Sequence, residues 1–295
     1  MTHRDPGAAV TLLLVRHGRC VDDAAGVIAR RDSALSDEGR SQLLRLVQSW
    51  DGNPPKRLVA SDLSRARESV RVVKRVLLAW SSGKDSAWAL HVLRAQSNVE
   101  VVGLLTTLNG AVDRVAMHGV RRELVELQAS AAGLPLISIP LPSPCSNEDY
   151  ERLMSAAMAE ARSCGVTHVA FGDLFLEDVR EYRIAHLRDT GVEPLFPIWG
   201  SAANTRALAK EMIASRAQAV IVCVDSKQLD PAFLGREFDE KLLSELPASV
   251  DPCGERGEFH TFCYGGPAFR KQVRFSTRIR VTSGQFHFID LVAEA

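Results

Sequence analysis

Short apolar runs recur along the chain, each ending in a polar stop and followed by a helical pattern. Thr11–Val15 reads as a strand that ends at Arg16-His17-Gly18. Ser36 is placed to cap a helix opened by Asp37 and Glu38, with Leu43, Leu44 and Val47 on one face. Leu58–Ala60 is a second short strand, and Ser61 to Arg67 enter another helix. Beyond Lys74 the alternation is regular. Val76–Trp80 is an apolar strand, Ser81–Ser86 a polar stop, and Ala87 to Ala95 helical. Val99–Leu105 is the next strand. Val120, Leu124, Leu127 and Ala131 recur at helical spacing, and Gly133 is suited to close that helix. Leu136–Leu141 is a strand, Asn147 starts a helix that ends at Gly165, and Val166–Phe171 and Ala219–Val224 are further strands. The last stretch alternates around Ser283-Gly284, the mark of a hairpin.

Strands alternating with helices predict an α/β fold with a parallel sheet covered on both faces. Ligands of such sheets sit beyond the carboxyl ends of the strands. That rule selects Arg16–Gly18, Ser81–Ser86, Thr106–Thr107 and Gly172–Asp173. The 295 residues predict about two domains, with a boundary between 73 and 74. Lys plus Arg (36) balances Asp plus Glu (36), so no global basic field supports a nucleic-acid partner. No apolar run approaches the ~18 residues of a membrane span, and Met1 to Val10 do not form a secretory signal. The six cysteines are dispersed, with no metal-type pair, which predicts a reducing cytoplasmic setting.

Ser81-Ser82-Gly83-Lys84-Asp85-Ser86 carries the sharpest chemistry. It follows a strand and opens a helix, where outward amides and the helix dipole favour an anion. Gly83 lets the backbone approach closely. Ser82 and Ser86 offer hydroxyls, Lys84 a positive charge near phosphates, and Asp85 a carboxylate that could hold Mg2+. The spacing is not that of a Walker A loop. The competing reading is an ordinary Ser-Gly turn into a capped helix. Asp251 to Thr261 (DPCGERGEFHT) forms a second polar cluster. Glu258 and His260 stand two apart, so in an extended segment they project to one side and could position ammonia or move a proton. A solvated turn is the alternative there.

The loop resembles that of the PP-loop ATP pyrophosphatases (adenine nucleotide alpha hydrolase-like), in which ATP is cleaved between the α and β phosphates. SSGKDS, MHGVRRELVELQA, AFGDLFLEDVREYR, PLFPIWG, LGREFD and DPCGERGEFHTF together resemble the diphthine–ammonia ligase family. The resemblance implies a parallel-sheet nucleotide-binding core over about 74–190 and a smaller α+β, substrate-side part over about 191–295. It implies that Ser81, Ser82, Gly83, Lys84, Asp85, Ser86 and Thr106 bind ATP, and that Gly172, Asp173, Glu258, His260 and Thr261 face the substrate. Lys84, Asp85, Glu258 and His260 would be catalytic. The implied reaction activates a carboxylate as an acyl-adenylate, releases pyrophosphate, and admits ammonia. A modified histidine on a protein is the family's best-known acceptor, and a cobalamin-related carboxylate is the alternative. Ser82 stands where the family often has glycine, which requires ordinary dihedrals at that position.

LLLVRHG, LSDEGR and SDLSRAR resemble the start of the histidine phosphatase superfamily, implying His17 as phosphorylated nucleophile with Arg16 and Arg65 beside it. The second histidine and acidic donor expected after Val73 are replaced by the next strand. Residues 1–73 therefore read as a truncated, inactive α/β histidine-phosphatase-like segment. The alternative is a phosphohydrolase run by His17.

Overall fold

A computed structural model describes residues 73–294 together with Ser36, Asp37, Gly39, Ser41 and Gln42. The chain divides into two units, Met1–Val73 and Lys74–Ala295. In the first, Ser36 Oγ accepts from the Gly39 amide at 3.1 Å, the capping bond its position predicts. The remaining strand and helix expectations for residues 1–72, with Arg16, His17 and Arg65, lie outside the described residues.

The second unit opens with β1 (Lys74–Ala79) and α1 (Lys84–Arg94), followed by β2 (Val99–Asn109) and the short β3 (Arg114–Val115). Then come α2 (Arg122–Ala132), β4 (Leu136–Leu141), α3 (Asn147–Ser163), β5 (His168–Ala170), α4 (Glu177–Leu187) and β6 (Glu193–Leu195). Strands β1, β2, β4, β5 and β6 are parallel, with β1 central between β2 and β5. Val76 and Leu78 of β1 join Leu90, Leu93, Leu124 and Val125 from α1 and α2. Leu77 points the other way, to Met158 and Ala161 of α3 and to Leu187 of α4. Burial on both faces explains why β1 reads as an unbroken apolar run. Gly133 closes α2 at φ +69, and Ser146 caps α3 by accepting from the Asp149 amide.

The chain continues through α5 (Thr205–Ala214), β7 (Gln218–Asp225), α6 (Glu240–Glu245), β8 (Phe259–Gly265), β9 (Phe275–Ser283) and β10 (Phe286–Ala293). A second sheet has the order β8-β7-β10-β9, antiparallel throughout. β7 thus departs from the parallel repeat that its sequence suggests. Its apolar run is as continuous as that of β1, because both of its faces are also buried. The β9–β10 hairpin turns at Gly284, φ +59, as the alternation predicts.

Strand β8 fastens this second sheet to the first. The Cys263 amide donates to Ser82 O at 2.9 Å. Buried Gln128 on α2 donates to Ser82 O (2.9 Å) and Cys263 O (2.6 Å) and accepts from Trp80 Nε1 (2.9 Å). A single side chain therefore satisfies three buried polar groups on three segments. Gln128→Ala removes the acceptor of Trp80 Nε1, the side-chain donor to Cys263 O and one of the two donors to Ser82 O, and is expected to lower the unfolding free energy by roughly 1–3 kcal/mol in urea titration.

Candidate active site

The loop between β1 and α1 lies at the carboxyl end of the central strand, where the sheet rule places a ligand. Ala79 pairs with Leu105 and Trp80 N is bonded to Leu105 O, so the loop leaves the sheet level with Thr106 of β2. Gly83 caps α1 at φ −85. It is required by space rather than by dihedral angle: a Cβ there would meet His118 Cε1 at 2.9 Å and Thr261 O at 3.3 Å. Ser82 is the correction. Its φ is +72, left-handed rather than ordinary, a conformation that costs a non-glycine residue about 1–2 kcal/mol. The hydroxyls of Ser82 and Thr106 are buried with no hydrogen-bond partner in the protein. Ser86 Oγ donates to Gly83 O at 3.0 Å and lies 3.4 Å from Ser81 Oγ. The Lys84 amide donates to Thr261 Oγ1 at 3.1 Å.

Lys84 does not hang over the loop. Its ammonium is buried, bonded to Cys253 O and to both oxygens of Asp85 (2.8 and 3.0 Å), and lies over the Phe238 and Phe259 rings. Burial disfavours the Lys84 charge, but Asp85 and the nearby acidic groups outweigh it and raise its pKa. Burial pushes Asp85 up as well, against the pull of Lys84, with Asp251 adding to the rise.

Glu258 and His260 do not act as a pair. Glu258 turns into its own loop, where its two oxygens accept from the Asp251 and Arg256 amides at 2.8 and 2.9 Å. Asp251 staples the same loop by accepting from the Cys253 amide and from Thr205 Oγ1. Extended projection fails here because the segment before Phe259 is a turn that needs an acceptor for its amides. The carboxylate that faces the neighbouring loop is Glu255, which sequence reasoning passed over. It accepts from the Leu174 amide at 2.7 Å. Burial, with Asp85 and Asp173 nearby, raises its pKa to about 7 despite that bond.

His260 pairs instead with His118, ring centroids 4.6 Å apart. His118 lies on the turn between β3 and α2, and its Nδ1 is 3.1 Å from Thr261 O. A carbonyl accepts only, so Nδ1 carries the proton and the Nε2 lone pair is left available. Arg121 holds that turn with a bidentate grip on Asp290 of β10 (2.9 and 2.7 Å), joined by Arg114 at 2.8 Å. His260 Nε2 is buried without a partner. Burial first, then repulsion from Lys84, lowers His260 to about 4, and burial with His260 keeps His118 well below its usual value. Both rings are neutral at physiological pH.

Gly172 packs its backbone on the first turn of α1, where a Cβ would lie 3.1 Å from Asp85 C and Ser86 N. Asp173 pairs with Arg183 at 3.4 Å. The loop therefore gathers Ser81–Ser86, Thr106, His118, His260 and Thr261, with Gly172 and Glu255 along one side. Glu258 braces the site from behind. The buried thiols offer no nucleophile: burial pushes Cys253 and Cys263 up to about 12. Among the described residues no group of three or more His, Cys, Asp or Glu is placed to hold a metal ion. A cavity of about 870 Å³ between α3 and α4, lined by Glu151, Arg162 and His186, contains none of these groups.

Sequence comparisons place the chain among known proteins. Residues 74–194 match the diphthamide synthase N-terminal domain, and residues 204–291 match the diphthamide synthase C-terminal domain. The chain belongs to the diphthamide synthase family. It is 28% identical over 221 residues to the diphthine–ammonia ligase of Bos taurus, covering 68% of this chain and 82% of that protein. The Homo sapiens ligase is 27% identical over 221 residues, with the same coverage of 68% and 82%. That of Danio rerio is 28% identical over 220 residues, covering 68% and 85%. Family membership makes the chain a ligase. Residues 12–80 match the histidine phosphatase superfamily (branch 1). That match runs through all of β1, a strand the ligase sheet uses at its centre, and ends at Trp80. Among the described residues no helix is long and apolar enough to cross a membrane.

The two histidines and Ser82 carry measurable consequences. In NMR titration the His260 ring is expected to stay neutral until about pH 4. The unfolded chain takes up that proton near pH 6.5, so this group's contribution to stability falls as pH drops from about 6.5 through 4. His260→Gln should shallow that acid limb. Ser82→Gly should raise the unfolding free energy by about 0.5–1 kcal/mol, because left-handed strain is relieved and the lost hydroxyl has no protein partner.

Proposed function

We propose that this protein is an ATP-dependent amide ligase that joins ammonia to a carboxylate acceptor. The observation that carries the reading is the Ser81–Ser86 loop at the start of α1, with two buried hydroxyls (Ser82 and Thr106) that have no protein partner. An interior hydroxyl without a partner costs free energy, and phosphate oxygens would supply the missing acceptors. In this reading the Ser81–Ser86 loop and Thr106 hold ATP within a core over 74–190, with Lys84 fixing the loop from behind through Asp85 and Cys253 O. Residues 191–295 supply His260 and Thr261 on the other wall, with Glu258 bracing their loop from behind and Gly172 and Asp173 coming from the core.

An acceptor carboxylate oxygen bonds to the α-phosphorus, and the bond to the β-phosphate oxygen breaks, releasing pyrophosphate. Ammonia then attacks the acyl-adenylate carbonyl, AMP departs with the bonding electron pair, and one proton must leave the nitrogen. The His118–His260 pair suits that last task, being neutral, buried and beside Gly83. Lys84 keeps Asp85 and the Asp251–Glu258 loop in register through its bonds to Asp85 and Cys253 O. Asp85 fits Mg2+ as one carboxylate in an acidic surrounding. Among the described residues it belongs to no group of three or more such ligands, so the ion would arrive with the nucleotide. Mg2+ would neutralise charge on the phosphates. The relatives' names give diphthine as an acceptor; a corrinoid carboxylate is the other class to try. Five unpaired cysteines among the described residues suit a cytoplasmic setting.

Pyrophosphate release from ATP is to be measured with ammonium over a panel of carboxylates. The panel should include diphthine-bearing elongation factor 2 and corrinoid side-chain acids. Release is expected with one acceptor class only. Lys84→Ala and Asp85→Ala should each lower it by at least about a hundredfold. Turnover that survives both changes, or that depends on His17 instead, would overturn the reading.

A further inference from the structure

The carboxyl ends of β5 and β6 hold a row of side chains that the reading above leaves unused. Arg183 lies over the Phe171 ring, 4.9 Å from its centroid, and Phe171 stacks on Phe196 at 5.7 Å. Arg180 lies over both Phe196 (5.4 Å) and Trp199 (4.9 Å). Rings, rather than carboxylates, fix these guanidiniums. Arg180 meets Glu177 through one contact of 3.2 Å, and Arg183 meets Asp173 through one of 3.4 Å. Neither is the two-point grip that Arg121 makes on Asp290. Arg180 Nε is buried with no acceptor at all.

A guanidinium held over aromatic rings is positioned without spending its N–H donors, which stay available at its solvent edge. That edge matches a carboxylate, which accepts two parallel N–H bonds. The row also stands in the right place. Asp173, paired with Arg183, follows Gly172, whose backbone touches the start of α1. In an amide ligase the acceptor carboxylate and the triphosphate are both anions and must come together. Lys84 cannot bridge them, since Asp85 and Cys253 O already occupy its ammonium. We propose that Arg180 and Arg183 form a ring-backed clamp for a carboxylate of the acceptor. The proposal rests on the ligase reading and names the residues that select its second substrate.

Glutarate serves as probe, its binding to the full chain followed by ligand-observed NMR with and without AMP-PNP. Arg180→Lys and Arg183→Lys keep the charge and lose the fork. Each is expected to weaken glutarate binding by about tenfold or more while AMP-PNP binding stays at the wild-type level. Thermal unfolding confirms that each variant is folded, and Arg180→Met serves as a second probe of the stacked position. Equal glutarate binding by wild type and the lysine variants would overturn the clamp. So would an absence of glutarate binding to the wild type, or a parallel loss of AMP-PNP, which would assign the arginines to the nucleotide. Failure of AMP-PNP to bind the wild type would instead bring down the ligase reading. Arginine-dependent glutarate binding in the nucleotide-free titration would still be seen in that case.

Discussion

The site depends on the main-chain seam between the loop after β1 and strand β8. Cys263 N bonds to Ser82 O, Thr261 Oγ1 receives the Lys84 amide, and Gln128 closes the join from beneath. The seam joins a parallel sheet to an antiparallel one beside the loop, and the Arg114 and Arg121 pairs with Asp290 join them again at β10. It also holds Ser82 in its left-handed conformation, which local preference opposes. Strain of that kind persists only where the surroundings over-determine the backbone, and here three bonds at Ser82 O and its neighbours do so.

Electrostatics around the seam follow from burial. One buried cation, Lys84, serves several acidic groups: Asp85, Asp251, Asp173 and Glu255 stand within its influence or one another's. Glu255 is held near neutrality as a result, and the two histidines are kept uncharged. The pocket therefore offers neutral proton acceptors on one wall and a proton-holding carboxyl on the other. Such a division suits a reaction in which an amine must shed a proton and an anion must be brought in.

Much of this architecture was legible in the chain itself. The apolar run of β1, the polar loop behind it and the helix opened at Lys84 are local features, and local pattern specifies them. Gly83 was expected to leave room for a ligand at the backbone; the neighbour it makes room for in the fold is His118, 35 residues away. That partnership is set by the Arg121–Asp290 bond between distant elements, which no spacing rule exposes. Glu258 misled for a related reason. Its spacing from His260 implied a shared face, but the turn before β8 consumes both carboxylate oxygens. β7 showed the same limit: an apolar run reports burial on two faces and does not reveal which partner strands provide it.

The close seating of Gly172 on the start of α1 has a mechanical outcome. Backbone lies on backbone there, with no side chain to yield between them. The β5 loop cannot slide toward the helix by the width of a methyl group without collision. The wall bearing Arg183 and the cradle bearing Ser82 are thus geared together, and whatever seats itself on one fixes the spacing felt by the other.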